Sequence, residues 1–316
     1  MSFAEQLVAW QRRQGRHDLP WQGTRDPYRI WLSEVMLQQT QVAAVIPYYQ
    51  RFLAKFPTVN DLAVAEQEEV LQLWSGLGYY ARGRNLHAAA KLIALKGFPK
   101  EAKDIEALPG VGRSTAAAIA VFAFGQRAAI LDGNAKRVLA RVFGVPTPDW
   151  DLAERCLPAK DVASYTQALM DLGATLCTRR PACESCPVKR RCVARREDRV
   201  AEFPTPRTRK PLPLRQATWL IVKHQDQVLL ERRRSPGIWG GLWCFPETLK
   251  GFPGAGARRL APMEHGFTHF RLRIQPVLCN VRRKAPEGQA MRWMRIAEAA
   301  TAALPTPVRA LIGLLR

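Results

Sequence analysis

Hydrophobic residues follow two different rhythms along this chain. Over residues 1–192 they recur at helical spacing in segments of about ten to fifteen residues, parted by Gly/Pro signals such as "KFPTVND", "LKGFPKEAKD" and "GVPTPDWD". That punctuation predicts a helical domain. Residues 193–216, "VARREDRVAEFPTPRTRKPLPLRQ", mix charge with proline and hold no sustained period, which predicts a linker. Beyond it the rhythm shortens. "ATWLIVKHQDQVLLERR" sets two short apolar runs around a polar turn, predicting a β-hairpin, and "HFRLRIQPVLCNVRR" alternates like a further strand. Residues 217–316 are therefore expected to form a separate domain, α/β or mainly β.

One window stands out within the helical part. "RIWLSEVMLQQTQVAAVIPYY", residues 29–49, reads as a single helix. Trp31, Leu32, Val35, Met36, Val42, Val45 and Ile46 share a broad face, Glu34, Gln38 and Gln41 run along its edge, and Gln39 falls inside the apolar face. A carboxylate on such a border is partly desolvated, and its pKa should rise toward the range where it hands over a proton near neutral pH. On this window alone, an ordinary amphipathic helix with a boundary glutamate is the better explanation.

Charge narrows the picture. The net charge is +21, an excess that suits a polyanion, nucleic acid foremost, better than a neutral metabolite. Residues 177–216 hold 12 Lys/Arg against 4 Asp/Glu, a net +8, so this stretch should lie near phosphates. The N-terminus lacks a basic start followed by an apolar run, and the longest apolar run, Ala116 to Phe124, is too short to span a bilayer. A soluble intracellular protein with no membrane partner is expected. Of seven cysteines, Cys177, Cys183, Cys186 and Cys192 fall in "CTRRPACESCPVKRRC" while Cys156, Cys244 and Cys279 are scattered. This is unlike a secreted disulfide framework and points to a metal centre in a reducing compartment.

Two further segments carry chemistry. In "IEALPGVGRSTAAAIAVFAFG", Gly110 and Gly112 allow a tight turn that presents N–H groups at the start of the next helix, a place suited to a phosphate oxygen. A plain helix–helix turn is the alternative. In "AAILDGNAKRVLARVFG", Asp132 is set to cap a helix beginning near Asn134. Held by N–H groups at a buried edge, the same carboxylate could stabilise or attack a cation, and with Glu34 it would form an acid and anion pair of the kind used in glycosidic bond cleavage.

These segments, together with "LPWQGTRDPYRIWLSEVMLQQTQV", "LWSGLGYYARGRNLH", "MDLGATLCTRRPACESCPV", "GIWGGLWCFPE" and "HGFTHFRL", resemble the helix-hairpin-helix DNA glycosylases with an iron–sulfur cluster, and within them the MutY-type adenine DNA glycosylases. The resemblance covers essentially the entire chain. It implies a mainly α N-terminal helix-hairpin-helix glycosylase domain with a 4Fe-4S loop over 1–192, the linker 193–216, and an α/β Nudix-like C-terminal domain over 217–316. It also implies a monomer, cytoplasmic and nucleoid-associated in the bacterial manner, acting on double-stranded DNA that holds adenine opposite 8-oxoguanine or guanine.

Position by position, the resemblance makes Glu34 the general acid that protonates the extruded adenine, and Asp132 the residue that stabilises the oxocarbenium ion at the sugar. Gln39 and Tyr79 match residues that enter the helical stack beside the lesion. Trp21 and Asn134 match pocket-wall residues, and Gln38, Gly110 and Gly112 belong to the DNA-binding motifs. Ser114 stands where the related endonuclease III type carries a lysine nucleophile, which implies base removal without an efficient lyase step. Cys177, Cys183, Cys186 and Cys192 match the ligands of the cluster; zinc is the rival reading. The first gap of the family loop is six residues, and here five, "TRRPA", lie between Cys177 and Cys183. In the C-terminal domain, "TLKGFPGAGARRLAPMEH" lacks the glutamate-rich helix of Nudix hydrolases, so this domain is expected to bind without hydrolysing, with Phe267, Thr268 and His269 reading 8-oxoguanine.

Overall fold

A computed structural model of the 316-residue chain describes residues 1–205, 211–249, 256–288 and 290–315. Two compact units emerge from the contacts: Met1–Ala63 with Ala88–Thr208, and Val64–His87 with Arg209–Arg316. The first is helical. It holds α1 (Phe3–Gln14), α2 (Pro27–Leu37), α3 (Val42–Lys55) and most of α4 (Val59–Val64). After α5 (Gln67–Trp74), which belongs to the second unit, α6 (Tyr80–Lys96) crosses the boundary at His87. The first unit continues with α7 (Ala102–Glu106), α8 (Arg113–Phe124), α9 (Gly133–Phe143), α10 (Trp150–Arg155), α11 (Val162–Asp171) and α12 (Val193–Arg196). Leu7, Ala118, Val138, Leu139, Leu169 and Leu172 form the centre of one core that joins α1, α8, α9 and α11.

Helix ends carry their own signals. Asp26 Oδ1 accepts the Tyr28 N–H at 2.9 Å with Pro27 at the first helical position, which starts α2. The window 29–49, expected as one helix, is two. Leu37 ends α2, Gln39 takes a left-handed φ of +58°, and α3 begins at Val42. No glycine or proline marks the break, so hydrophobic spacing alone runs straight through it. Gln38 instead holds it from outside, its amide donating to Gly110 O at 3.2 Å and to Thr115 Oγ1 at 3.3 Å.

Residues 193–216, expected as a linker, begin with α12 and a 3-10 turn at Val200–Glu202. Buried Ala194 and Phe203 pack with Ala140 of α9, an apolar pair that a charge-and-proline reading of this stretch conceals. Its residues 206–210 lie outside the described residues, as do residues 250–255 of the segment read as lacking a Nudix-type helix.

The second unit is a mixed sheet. Its strands are β1 (Leu214–His224), β2 (Gln227–Arg232), β3 (Trp243–Cys244), β4 (Arg258–Arg259), β5 (Met263–Gly266), β6 (Arg271–Asn280) and β7 (Met291–Arg295), followed by α13 (Ile296–Ala299) and α14 (Thr306–Gly313). The order β3-β2-β1-β6-β4 is extended by β5 on β6 and β7 on β2. The expected hairpin is present: His224 pairs with Gln227 across Gln225 and Asp226. The long pair β1 and β6 is parallel, Leu214 facing Arg271 and Lys223 facing Asn280. The segment 64–87 joins this unit through specific polar contacts. Ser75 and Tyr80 hydroxyls donate to Leu304 O at 2.8 and 3.0 Å, and Trp243 Nε1 donates to Glu68 at 2.7 Å. Among the described residues no helix is long and apolar enough to cross a membrane.

Candidate active site

Glu34 opens onto a cavity of about 600 Å³ in the helical unit, whose lining includes Trp21, Leu19, Gln22, Phe122 and Met170. Burial of the side chain, and secondarily the charge of Asp132, push the Glu34 carboxyl up to about 8. Below that pH it holds a proton that it can donate. Asp132 is the N-cap of α9, its Oδ1 accepting the Ala135 N–H at 2.8 Å. The positive end of a helix suits a negative charge, so one carboxyl is set to give a proton while its neighbour is set to face a cation.

The residue before Asp132 is pinned as well. Ser114 Oγ accepts the Leu131 N–H at 3.0 Å, tying the start of α8 to the strand-like approach to α9. A protonated lysine ammonium at this place could not accept that bond. Gly110 takes a left-handed φ of +78°, and Gly112 caps α8 with nothing within 4 Å of where its Cβ would stand. The open space lies in front of the helix N-terminus, where N–H groups have no partner within the helix.

Trp21 joins Glu34 in the cavity, and its ring meets Tyr49 edge to face at 5.4 Å. Asn134 is placed elsewhere: its Oδ1 accepts from Arg137 Nη2 at 2.7 Å. Gln39 and Tyr79 both adopt left-handed backbone, φ +58° and +49°, a conformation that costs a non-glycine residue roughly 1–2 kcal/mol. Tyr79, in the second unit, is exposed, its ring 5.3 Å from the Arg82 guanidinium.

Cys177, Cys183, Cys186 and Cys192 line one small void walled by Val138, Leu172 and Val188. Burial raises the Cys186 thiol to about 11 and raises Cys192 as well, and the neighbouring thiols add to both. A cationic group among them would reverse this by favouring thiolates. Among the described residues no group of three or more His, Cys, Asp or Glu is gathered tightly enough for a single metal ion. Four thiols around one apolar void are the donor set that an iron–sulfur cluster takes. A one-turn π-helix, Leu172–Leu176, delivers Cys177 to the void, and Arg141 Nη1 reaches its Sγ at 3.5 Å. Arg137 links this loop to α9, donating to Cys177 O at 2.7 Å and Gly173 O at 2.6 Å as well as to Asn134. Neither arginine was legible as a site residue, because a basic helix face is ordinary.

Phe267, Thr268 and His269 form the connection between β5 and β6. Phe267 stacks on Phe270 with centroids 4.3 Å apart and also meets His265 and Trp239, at 4.9 and 5.3 Å. Thr268 and His269 are exposed beside it. Trp239, within the "GIWGG" motif, thus buttresses the loop from a distant part of the sequence.

Residues 32–158 match the HhH-GPD superfamily of base excision DNA repair proteins, and residues 217–314 match the NUDIX domain. The chain is 33% identical to an adenine DNA glycosylase of Buchnera aphidicola subsp. Acyrthosiphon pisum, over 98% of this chain and 96% of that protein. It is 34% identical to the adenine DNA glycosylase of Homo sapiens, over 98% of this chain and 73% of that one. Among solved structures, a thermostable thymine-DNA glycosylase superposes with a TM-score of 0.58 at 30% identity, covering 62% of this chain and 95% of its own. Endonuclease III in a non-covalent DNA complex shares the fold, with a TM-score of 0.54 at 22% identity over 62% of this chain and 94% of its own.

Proposed function

This chain belongs to the adenine DNA glycosylase family, hydrolases of N-glycosyl bonds in base excision repair, and from that premise we propose that it removes adenine paired with 8-oxoguanine or guanine in double-stranded DNA, as a monomer, leaving an abasic site without cutting the strand. The observation that carries this reading is the pair of unlike carboxyls: Glu34, raised to about 8, beside Asp132 at the head of α9.

The adenosine leaves the stack and its base enters the Glu34 cavity, with Gln39 and Tyr79 filling the space left in the duplex. Glu34 gives its proton to the base as the glycosidic bond lengthens. Asp132 faces the positive charge that grows on the sugar. The Glu34 carboxylate then takes a proton from the water that attacks the sugar, which restores the acid. Phosphates on either side rest against the Gly110–Gly112 turn, and the base opposite adenine is read by Phe267, Thr268 and His269.

Ser114 supplies no amine for a Schiff base. Strand scission is therefore expected only after alkali, and borohydride should trap little enzyme on the DNA. A high yield of trapped adduct would refute monofunctional chemistry.

Cys177, Cys183, Cys186 and Cys192 would hold a 4Fe-4S cluster, which when bound supplies a structural centre for the basic loop around it. The one-residue shorter first gap still leaves all four thiols on one void. Cys186→Ser is expected to lower iron content and the melting temperature together; full iron content in that variant would remove Cys186 from the ligand set.

A further inference from the structure

Asp171 closes α11 with no exposed surface, yet no step above uses it. Its Oδ1 accepts from Arg16 Nε and Nη2, both at 2.7 Å, and from Gln167 Nε2 at 2.9 Å. Its Oδ2 accepts the Arg16 backbone N–H at 2.9 Å. A buried carboxylate is tolerated only while such charge-assisted bonds stay in place, so Arg16 is fixed through main chain and side chain at once. Gly15 permits the approach: a Cβ there would stand 2.6 Å from Gln11 O and 3.1 Å from Asp171 Oδ2.

From Arg16 the constraint passes along the segment 15–26 between α1 and α2. Gln22 Nε2 donates to Arg16 O at 3.0 Å, and Gln22 Oε1 accepts the Leu19 N–H at 3.1 Å. The His17 ring bonds Gln11 O at 2.8 Å. The segment is thereby folded on itself, and Arg16, His17, Leu19, Trp21 and Gln22 make one wall of the Glu34 cavity.

We propose that Asp171 is a positioning residue of the base pocket, locking the 15–26 segment through Arg16 as the wall that keeps bulk water from Glu34. This rests on the reading of Glu34 as the acid. The charged or titratable groups around Glu34 are Asp132 and, in the cavity lining, Arg16, His17 and Arg25. Loss of the Asp171 carboxylate loosens the wall and frees the Arg16 cation. Water entry and a nearer positive charge both favour the Glu34 carboxylate, so both lower the pH at which Glu34 loses its proton.

The test is a carbon-13 NMR titration of the Glu34 carboxyl, assigned by its absence in Glu34→Gln, in the full-length protein. Asp171→Asn is expected to lower the midpoint by about one pH unit or more and to slow single-turnover adenine release roughly 10- to 100-fold. Arg16→Lys, which keeps a cation against Asp171, should lie closer to the parent protein in both. Should Asp171→Asn fail to fold, Gln22→Ala cuts the tie within the segment alone and should move the midpoint in the same direction. An unchanged midpoint in the folded variants overturns the proposal, even where the rate falls. The titration needs no turnover, so a parent protein that releases no adenine would refute the proposed function and leave this result readable.

Discussion

Glu34→Gln is expected to slow single-turnover adenine release by roughly 10²–10⁴-fold, the usual worth of a positioned general acid, with duplex affinity nearly unchanged. The amide keeps the size of the side chain and removes only its exchangeable proton. In the parent protein the rate should fall as pH rises through about 8, where Glu34 gives up that proton before substrate needs it. The same group carries a stability signature that runs in the same direction with pH. Its folded value of about 8 lies above the ordinary 4.5, so the native state retains a proton that the unfolded chain has released between those two pH values. The stability this contributes is fully present below about 4.5 and is lost as pH rises through about 8. Glutamine never charges. Glu34→Gln should therefore melt higher than the parent at neutral and alkaline pH, by on the order of a few kcal/mol, and the two should converge in acid. Thermal melts across pH check this, and a variant that melts lower at pH 8 would remove the strained acid from the account.

Asp132→Asn should cost roughly 10²–10³-fold in the same rate, as expected for removing a charge aimed at a developing ion. Asparagine caps helices about as well as aspartate, so α9 should keep its start and the melting temperature should barely move. A second readout separates this residue from a simple cap. Asp132 helps to raise Glu34, so its neutralisation should move the alkaline limb of any residual activity to lower pH. A near-normal rate, or a lost rate together with a collapsed melting temperature, would reduce Asp132 to a structural role.

The helical first domain, the hairpin at the start of the sheet and the Asp132 cap could all be read from spacing, because each depends on local periodicity or on a side chain next to its own helix. Four clustered cysteines are legible for the same reason. The break at Gln38–Gln41 was not, since Gln39 turns left-handed without a glycine to announce it and the cause, a bond from Gln38 to Gly110, comes from 72 residues away. The attachment of 64–87 to the sheet unit likewise depends on carbonyls more than two hundred residues on. Asp171 shows the limit most plainly. In "MDLG" it looks like a surface acid at a helix end, and only the partner 155 positions earlier explains why it can be buried. Glu34 follows the same rule: the cavity it opens onto is built from segments far apart in sequence, and it is the burial those segments impose that raises its carboxyl.

Single-turnover release of adenine from a duplex carrying adenine opposite 8-oxoguanine, followed across pH for the parent protein and Glu34→Gln and scored with and without alkali, tests the central claim most directly. The account predicts scission only after alkali, a rate that declines through about pH 8, and almost no release by the variant. Comparable release by Glu34→Gln, or strand cleavage without alkali, would contradict it.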